Sequence, residues 1–127
     1  MERQITDVLL IDDDPDICIM LKAILHAAGY TVQYSSVVSQ LPQILDSITP
    51  RLILIDMLLA GKDGAAVCRS LKADTKTKDI LIVMMSAHPD AEITCKEAGA
   101  DAFLAKPFDI DQLLGKMKSV AGDRNQL

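Results

Sequence analysis

Short apolar runs alternate with amphipathic stretches along the chain. Val8-Leu9-Leu10-Ile11, Leu52-Ile53-Leu54-Ile55 and Ile80-Leu81-Ile82-Val83-Met84-Met85 are continuous runs. Unbroken aliphatic runs of that length predict strands buried on both faces, as in a parallel sheet. Residues 31–35 and 102–105 are weaker strand candidates. Helical stretches lie between. Asp14 as N-cap and Pro15 at the first helical position open one. Ile17, Met20, Leu21, Ile24, Leu25 and Ala28 form its apolar stripe, and Gly29 ends it. Pro42 cannot sit inside a helix, so a short second helix is predicted over 42–48. Residues 63–73 and 90–98 predict two more, the latter closed by Gly99. Asp109-Ile110-Asp111-Gln112 has the form of a capping box and opens a fifth, to about Ala121. Five β-then-α units predict a doubly wound α/β sandwich. Residues 1–121 are expected to form this domain, and 122–127 a frayed tail or the start of a linker.

Composition narrows the function. The 127 residues suffice for one domain with its own core. The net charge of −5 and the absence of tryptophan argue against a nucleic-acid surface, which needs basic and stacking groups. No apolar run approaches the roughly 18 residues needed to span a bilayer, and the first residues lack a signal-peptide pattern. Membrane insertion is therefore not expected. Cys18, Cys68 and Cys95 are odd in number and unpaired in spacing, which fits buried thiols in a reducing cytoplasm.

The chemistry collects at strand ends, where open α/β sheets bind ligands. The first strand runs into Asp12-Asp13-Asp14, the third into Asp56 and the fourth into Ser86, while Lys106-Pro107 follows the fifth. Each residue alone has an ordinary reading: Asp14 as a helix cap, Asp56 as a cap for the loop after its strand, Ser86 as a turn residue, Lys106 as a solvated charge. Together they are costly without a cation, because like charges at one edge repel. A hard divalent ion relieves that repulsion, and Mg²⁺ accepts carboxylates, a carbonyl and waters. A lysine and a hydroxyl nearby suit phosphoryl oxygens.

Four segments in this order resemble the receiver domain of bacterial two-component response regulators, including the chemotaxis regulators. They are Leu9 to Pro15, Leu54 to Gly64, Val83 to Ala87 and Gly99 to Phe108, and the resemblance spans Val8 to about Val120. It implies a flavodoxin-like parallel sheet in the order 2-1-3-4-5 with helices on both faces. Asp56 would be the phosphoacceptor. Asp13 would bind Mg²⁺ (or Mn²⁺) directly and Asp12 mainly through water, with the Leu58 carbonyl and Asp56 as further ligands. Ser86 would hydrogen-bond the phosphoryl group, Lys106 would pair with it, and the peptide before Pro107 would be cis. Phe103 would be the aromatic switch. Leu58 and His88 would flank the water that hydrolyses the acyl phosphate. His88 also reads as an ordinary exposed loop residue.

The resemblance implies a cytoplasmic phosphorelay receiver charged by a sensor histidine kinase or a histidine phosphotransfer protein. It would catalyse its own phosphorylation and slow autodephosphorylation. Its output would pass through the fourth helix, fifth strand and fifth helix to a downstream protein or an effector domain beyond these residues. Three departures from the family pattern stand out. Ala60 replaces a usual proline, Phe103 lacks a tyrosine hydroxyl, and the fifth helix carries Lys116 and Lys118 but no arginine. The last feature predicts a monomer or a weak phosphorylation-dependent dimer. Two other functions compete. A pseudo-receiver would bind partners without chemistry, but such proteins lose the acids or the lysine kept here. Asp12-x-Asp14 superficially matches the nucleophile motif of haloacid-dehalogenase-like phosphatases, yet Pro15 stands where Thr or Val is expected and the chain is short for that fold.

Overall fold

A computed structural model describes residues 4–59 and 61–122. Five strands, β1 (Gln4–Ile11), β2 (Val32–Ser35), β3 (Ile48–Asp56), β4 (Leu81–Ser86) and β5 (Ala102–Ala105), form one parallel sheet. Its order is β2-β1-β3-β4-β5, the flavodoxin-like arrangement. The helices are α1 (Pro15–Ala27), α2 (Leu41–Ser47), α3 (Gly64–Ala73), α4 (Ala91–Glu97) and α5 (Ile110–Ala121). A 3₁₀ turn over Val38–Gln40 leads into α2.

Side chains alternate across the pleat, so the central strands feed two cores. Leu9, Ile11, Ile53, Ile55, Ile82 and Met84 pack against α2, α3 and α4 through Leu41, Cys68, Leu71 and Cys95. Val8, Leu10, Leu52, Leu54, Val83 and Met85 pack against α1 and α5 through Leu21, Leu25, Leu113 and Met117. Removing one such aliphatic side chain to alanine costs about 2–5 kcal/mol. This double burial is why the strands read as unbroken apolar runs. All three cysteines are buried, one each on α1, α3 and α4.

Several boundaries differ from the sequence expectation, each for a physical reason. β1 begins at Gln4 because polar Thr6 and Asp7 are buried with partners: Asp7 Oδ2 accepts from Thr31 N at 2.9 Å. β3 begins at Ile48 and contains Pro50, which faces Thr6 of β1. Its pairing with β4 starts only at Leu52, so Pro50 needs no N–H on that side. Ile48 therefore belongs to β3, and α2 ends at Ser47. On α1 the buried face is Cys18, Leu21 and Leu25, while Met20 is 53% exposed. The capping box holds: Asp109 Oδ1 accepts from Gln112 N at 2.7 Å, and Gln112 Oε1 from Asp109 N at 2.9 Å. Ala60 and the tail 123–127 lie outside the described residues.

Candidate functional site

Strand register assembles the site. Ile11 pairs with Ile55, so the residues that follow, Asp12 and Asp56, emerge at one level. Asp56 pairs with Met85 and Ser86 with Ala105, which brings Ser86 and then Lys106 to the same edge. Carboxylate oxygens of Asp12, Asp13 and Asp56 lie within 4.8 Å of one another. Lys106 Nζ reaches Asp56 Oδ2 at 2.8 Å and Asp12 Oδ2 at 3.5 Å. Asp12, Asp56 and Ser86 are buried, whereas Asp13 is exposed at the mouth.

The second oxygens are used unequally. Asp56 Oδ1 accepts from Leu58 N at 3.1 Å, and Asp12 Oδ1 from Asp14 N at 3.0 Å. Asp12 Oδ2 is buried and has no hydrogen-bond partner. Burial pushes the Asp12 carboxyl above its ordinary 3.8, and the charges of Asp56 and Asp13 add to the rise. The Asp14 amide and Lys106 only partly offset it. For Lys106 burial acts downward, but the hydrogen bond and charge of Asp56, with the charge of Asp12, outweigh it and hold the ammonium above its ordinary 10.5. An orphaned carboxylate oxygen beside two more carboxylates is a hard-oxygen donor set of the kind Mg²⁺ accepts.

The loops around the acids are built locally. Asp14 caps α1 by accepting from Asp16 N at 3.0 Å, so its carboxylate serves the helix. The Cys18 thiol donates to Asp12 O at 3.3 Å from beneath the loop. After Asp56 a two-stranded ribbon, Leu58–Leu59 with Lys62–Asp63, folds over the strand end. The Leu58 side chain is 80% exposed. Asp63 caps α3 through Ala65 N at 2.9 Å. At Gly64 a Cβ would stand 2.5 Å from Asp56 O and 2.8 Å from Met57 Cα, so the helix start presses directly on the Asp56–Met57 peptide. The ribbon and the roles of Cys18 and Gly64 were not foreseen. A glycine at the first position of a helix, where it is a poor former, was the available signal.

The remaining candidates are more dispersed. Ser86 Oγ accepts from His88 N at 3.0 Å. His88 is exposed, and its Nδ1 accepts from Asp90 N at 3.1 Å. Phe103 is half-buried on β5, against the core beneath α4. The Lys106–Pro107 peptide is cis.

The doubly wound sheet with an oxygen-rich acid cluster at its carboxyl edge places the molecule among the strand-end ligand binders of α/β architecture. The chain belongs to the response regulator receiver domain family, whose model matches residues 8–118. It is 34% identical over 115 residues to the DNA-binding dual master transcriptional regulator RpaA of Synechocystis, covering 89% of this chain and 48% of that protein. The chain spans about half the length of the curated relatives it matches. Its fold superposes on a response-regulator crystal structure from Chloroflexus aurantiacus with a TM-score of 0.83, 30% identity, and coverage of 94% and 98%. The receiver domain of a sensor histidine kinase from Pseudomonas aeruginosa, solved with magnesium coordinated in its active-site cleft, is similar at a TM-score of 0.78 and 26% identity. That match covers 91% of this chain and 96% of the other. Among the described residues no helix is long and apolar enough to cross a membrane.

Proposed function

We propose that residues 1–121 form a receiver that takes a phosphoryl group onto Asp56 with a divalent cation, Mg²⁺ or Mn²⁺, held beside it. The observation that carries this reading is the Asp56 carboxylate, gripped by Lys106 at 2.8 Å and flanked by Asp13 and the orphaned Asp12 Oδ2. Asp12, Asp13, Asp56 and the Leu58 carbonyl would hold the cation. When bound, it would neutralise charge on the phosphoryl oxygens. An Asp56 oxygen forms the O–P bond as the P–N bond to a phosphohistidine breaks. The electron pair leaves with the imidazole, which takes up a proton. Lys106 faces the equatorial charge, and Ser86 donates its hydroxyl proton to a phosphoryl oxygen. The donor is a sensor histidine kinase or a histidine phosphotransfer protein in the cytoplasm. Movement of Ser86 toward the phosphoryl group opens room for Phe103 to turn inward, which changes the α4-β5-α5 face read by a partner or an effector domain. A phenyl ring strands no polar atom when it turns in.

Acetyl phosphate with Mg²⁺ tests the reading. One base- and hydroxylamine-labile phosphoryl group on Asp56 is expected by mass spectrometry, and none on Asp56→Asn. A label on Ser86, or undiminished labelling of Asp56→Asn, would overturn it.

A further inference from the structure

Ser86 and α4 are joined through one residue. The His88 amide donates to Ser86 Oγ at 3.0 Å. Its carbonyl accepts from Ala91 N at 3.2 Å, and its ring Nδ1 accepts from Asp90 N at 3.1 Å. Asp90, the N-cap of α4, makes no side-chain cap of its own. The His88 ring thus holds the N-cap amide itself, the donor that the N3 side chain takes in a capping box. It does so only as the tautomer with the proton on Nε2. That arrangement removes Nδ1 from service as a base toward a water at Asp56.

The chemistry of the hydroxyl gives the arrangement a purpose. A serine hydroxyl has one proton and two lone pairs. The His88 amide occupies a lone pair, which leaves the O–H as the donor that can face a phosphoryl oxygen. Ser86 is 7% exposed, so water contributes little to its orientation. The amide stays in place only if the 86–90 loop does, and the ring's bond to Asp90 N closes that loop. We propose that His88 is a positioning residue: its ring locks the β4–α4 loop so that its amide aims the Ser86 hydroxyl, and it links any displacement of Ser86 to the first turn of α4. This rests on the phosphoacceptor reading of Asp56. His88 is exposed, so its substitution leaves the core intact.

Beryllofluoride, which mimics the phosphoryl group, separates the possibilities when titrated at saturating Mg²⁺ into the whole chain. His88→Ala is expected to weaken beryllofluoride binding about fivefold, the scale of one neutral hydrogen bond. Its Mg²⁺ affinity, read by calorimetry, should stay at the wild-type value, because the cation's ligands lie on other loops. His88→Asn carries an acceptor oxygen where Nδ1 sits and should restore the binding. In the free protein the Asp90 amide should exchange faster in His88→Ala than in His88→Asn. Wild-type affinity and exchange in His88→Ala overturn the proposal, as does equal weakening in both variants or a parallel loss of Mg²⁺ affinity. A wild-type chain that binds Mg²⁺ but no beryllofluoride overturns the reading of Asp56 instead, and the amide exchange then still decides the role of His88.

Discussion

Toward the amino end of the sheet Asp7 is nearly as buried as Asp12 is at the carboxyl end, at 4% and 2% exposure. Their surroundings differ. Asp7 Oδ2 accepts from Thr31 N, and Arg51 Nε stands 3.8 Å from its Oδ1. At the same end Asp101 Oδ2 accepts from Ile82 N and from Lys72 Nζ, both at 2.8 Å. Lys72 spends its other protons on Ile80 O at 2.9 Å and Lys78 O at 3.3 Å. That network ties α3, β4 and the turn before β5 into one knot. Asp12 Oδ2 has only the charge of Lys106 at 3.5 Å, shared with Asp56. Acids satisfied by amides and a cation hold the fold together. Buried acids left short of partners mark where a ligand belongs.

The comparison is most open to attack through stability. Asp7→Ala should cost about 3 kcal/mol, because it leaves the Thr31 amide without its partner. Asp12→Asn should instead raise the melting temperature in EDTA, and added Mg²⁺ should narrow the gap by stabilising wild type alone. Thermal melts with and without metal decide it. A lower melting temperature for metal-free Asp12→Asn would place Asp12 with the structural acids.

The pH dependence sharpens the same contrast. Asp12 titrates above its ordinary 3.8 in the folded protein, because burial disfavours its charge. At pH below 3.8 it is protonated folded or unfolded and costs nothing. Stability is lost as pH rises through the raised folded value. The advantage of metal-free Asp12→Asn should therefore be full near neutrality and vanish toward pH 3.8 and below. A gap that widens on acidification would reverse the sign of the argument.

A smaller effect concerns the lifetime of the proposed acyl phosphate. Leu58 is 80% exposed beside Asp56 and offers water no hydrogen bond. Leu58→Asn should speed decay of the phosphorylated protein several-fold, roughly 1 kcal/mol in barrier. An unchanged or slower decay after donor removal would sink the idea. His88 should supply no base to that decay, since its Nδ1 is engaged with Asp90. The smallest expected signal is from the thiols. Burial pushes Cys95 up to about 11, so alkylation of the native protein at pH 8 should be negligible until it unfolds.

How much of this was legible in the sequence depends on which property each part uses. The central strands announced themselves because burial on both faces demands unbroken aliphatic residues. The acids were legible because parallel strands deliver their last residues to one edge. What escaped were features made by polar groups in partnership. The first half of β1 and of β3 carries Thr6, Asp7, Pro50 and Arg51, which read as loop until Thr31 and the open edge at Pro50 are seen. The ribbon after Asp56 is two residues a side, too short for any periodicity. His88 read as an exposed loop residue or as a flank of the hydrolytic water, because its bond to Asp90 is a matter of ring geometry rather than composition.

The contact at Gly64 has a consequence for how this domain can vary. The height of Asp56 in its pocket is set by an atom that is missing, since the nearest place for a methyl is 2.5 Å from Asp56 O. Most core positions tolerate a graded series of side chains, each slightly worse than the last. Position 64 has no such gradient: the first carbon added collides with the peptide that carries Asp56. Drift in the hydrophobic core is buffered by repacking before it reaches the chemistry. Drift at this glycine is passed directly to the Asp56–Met57 peptide, with no side chain between to absorb it.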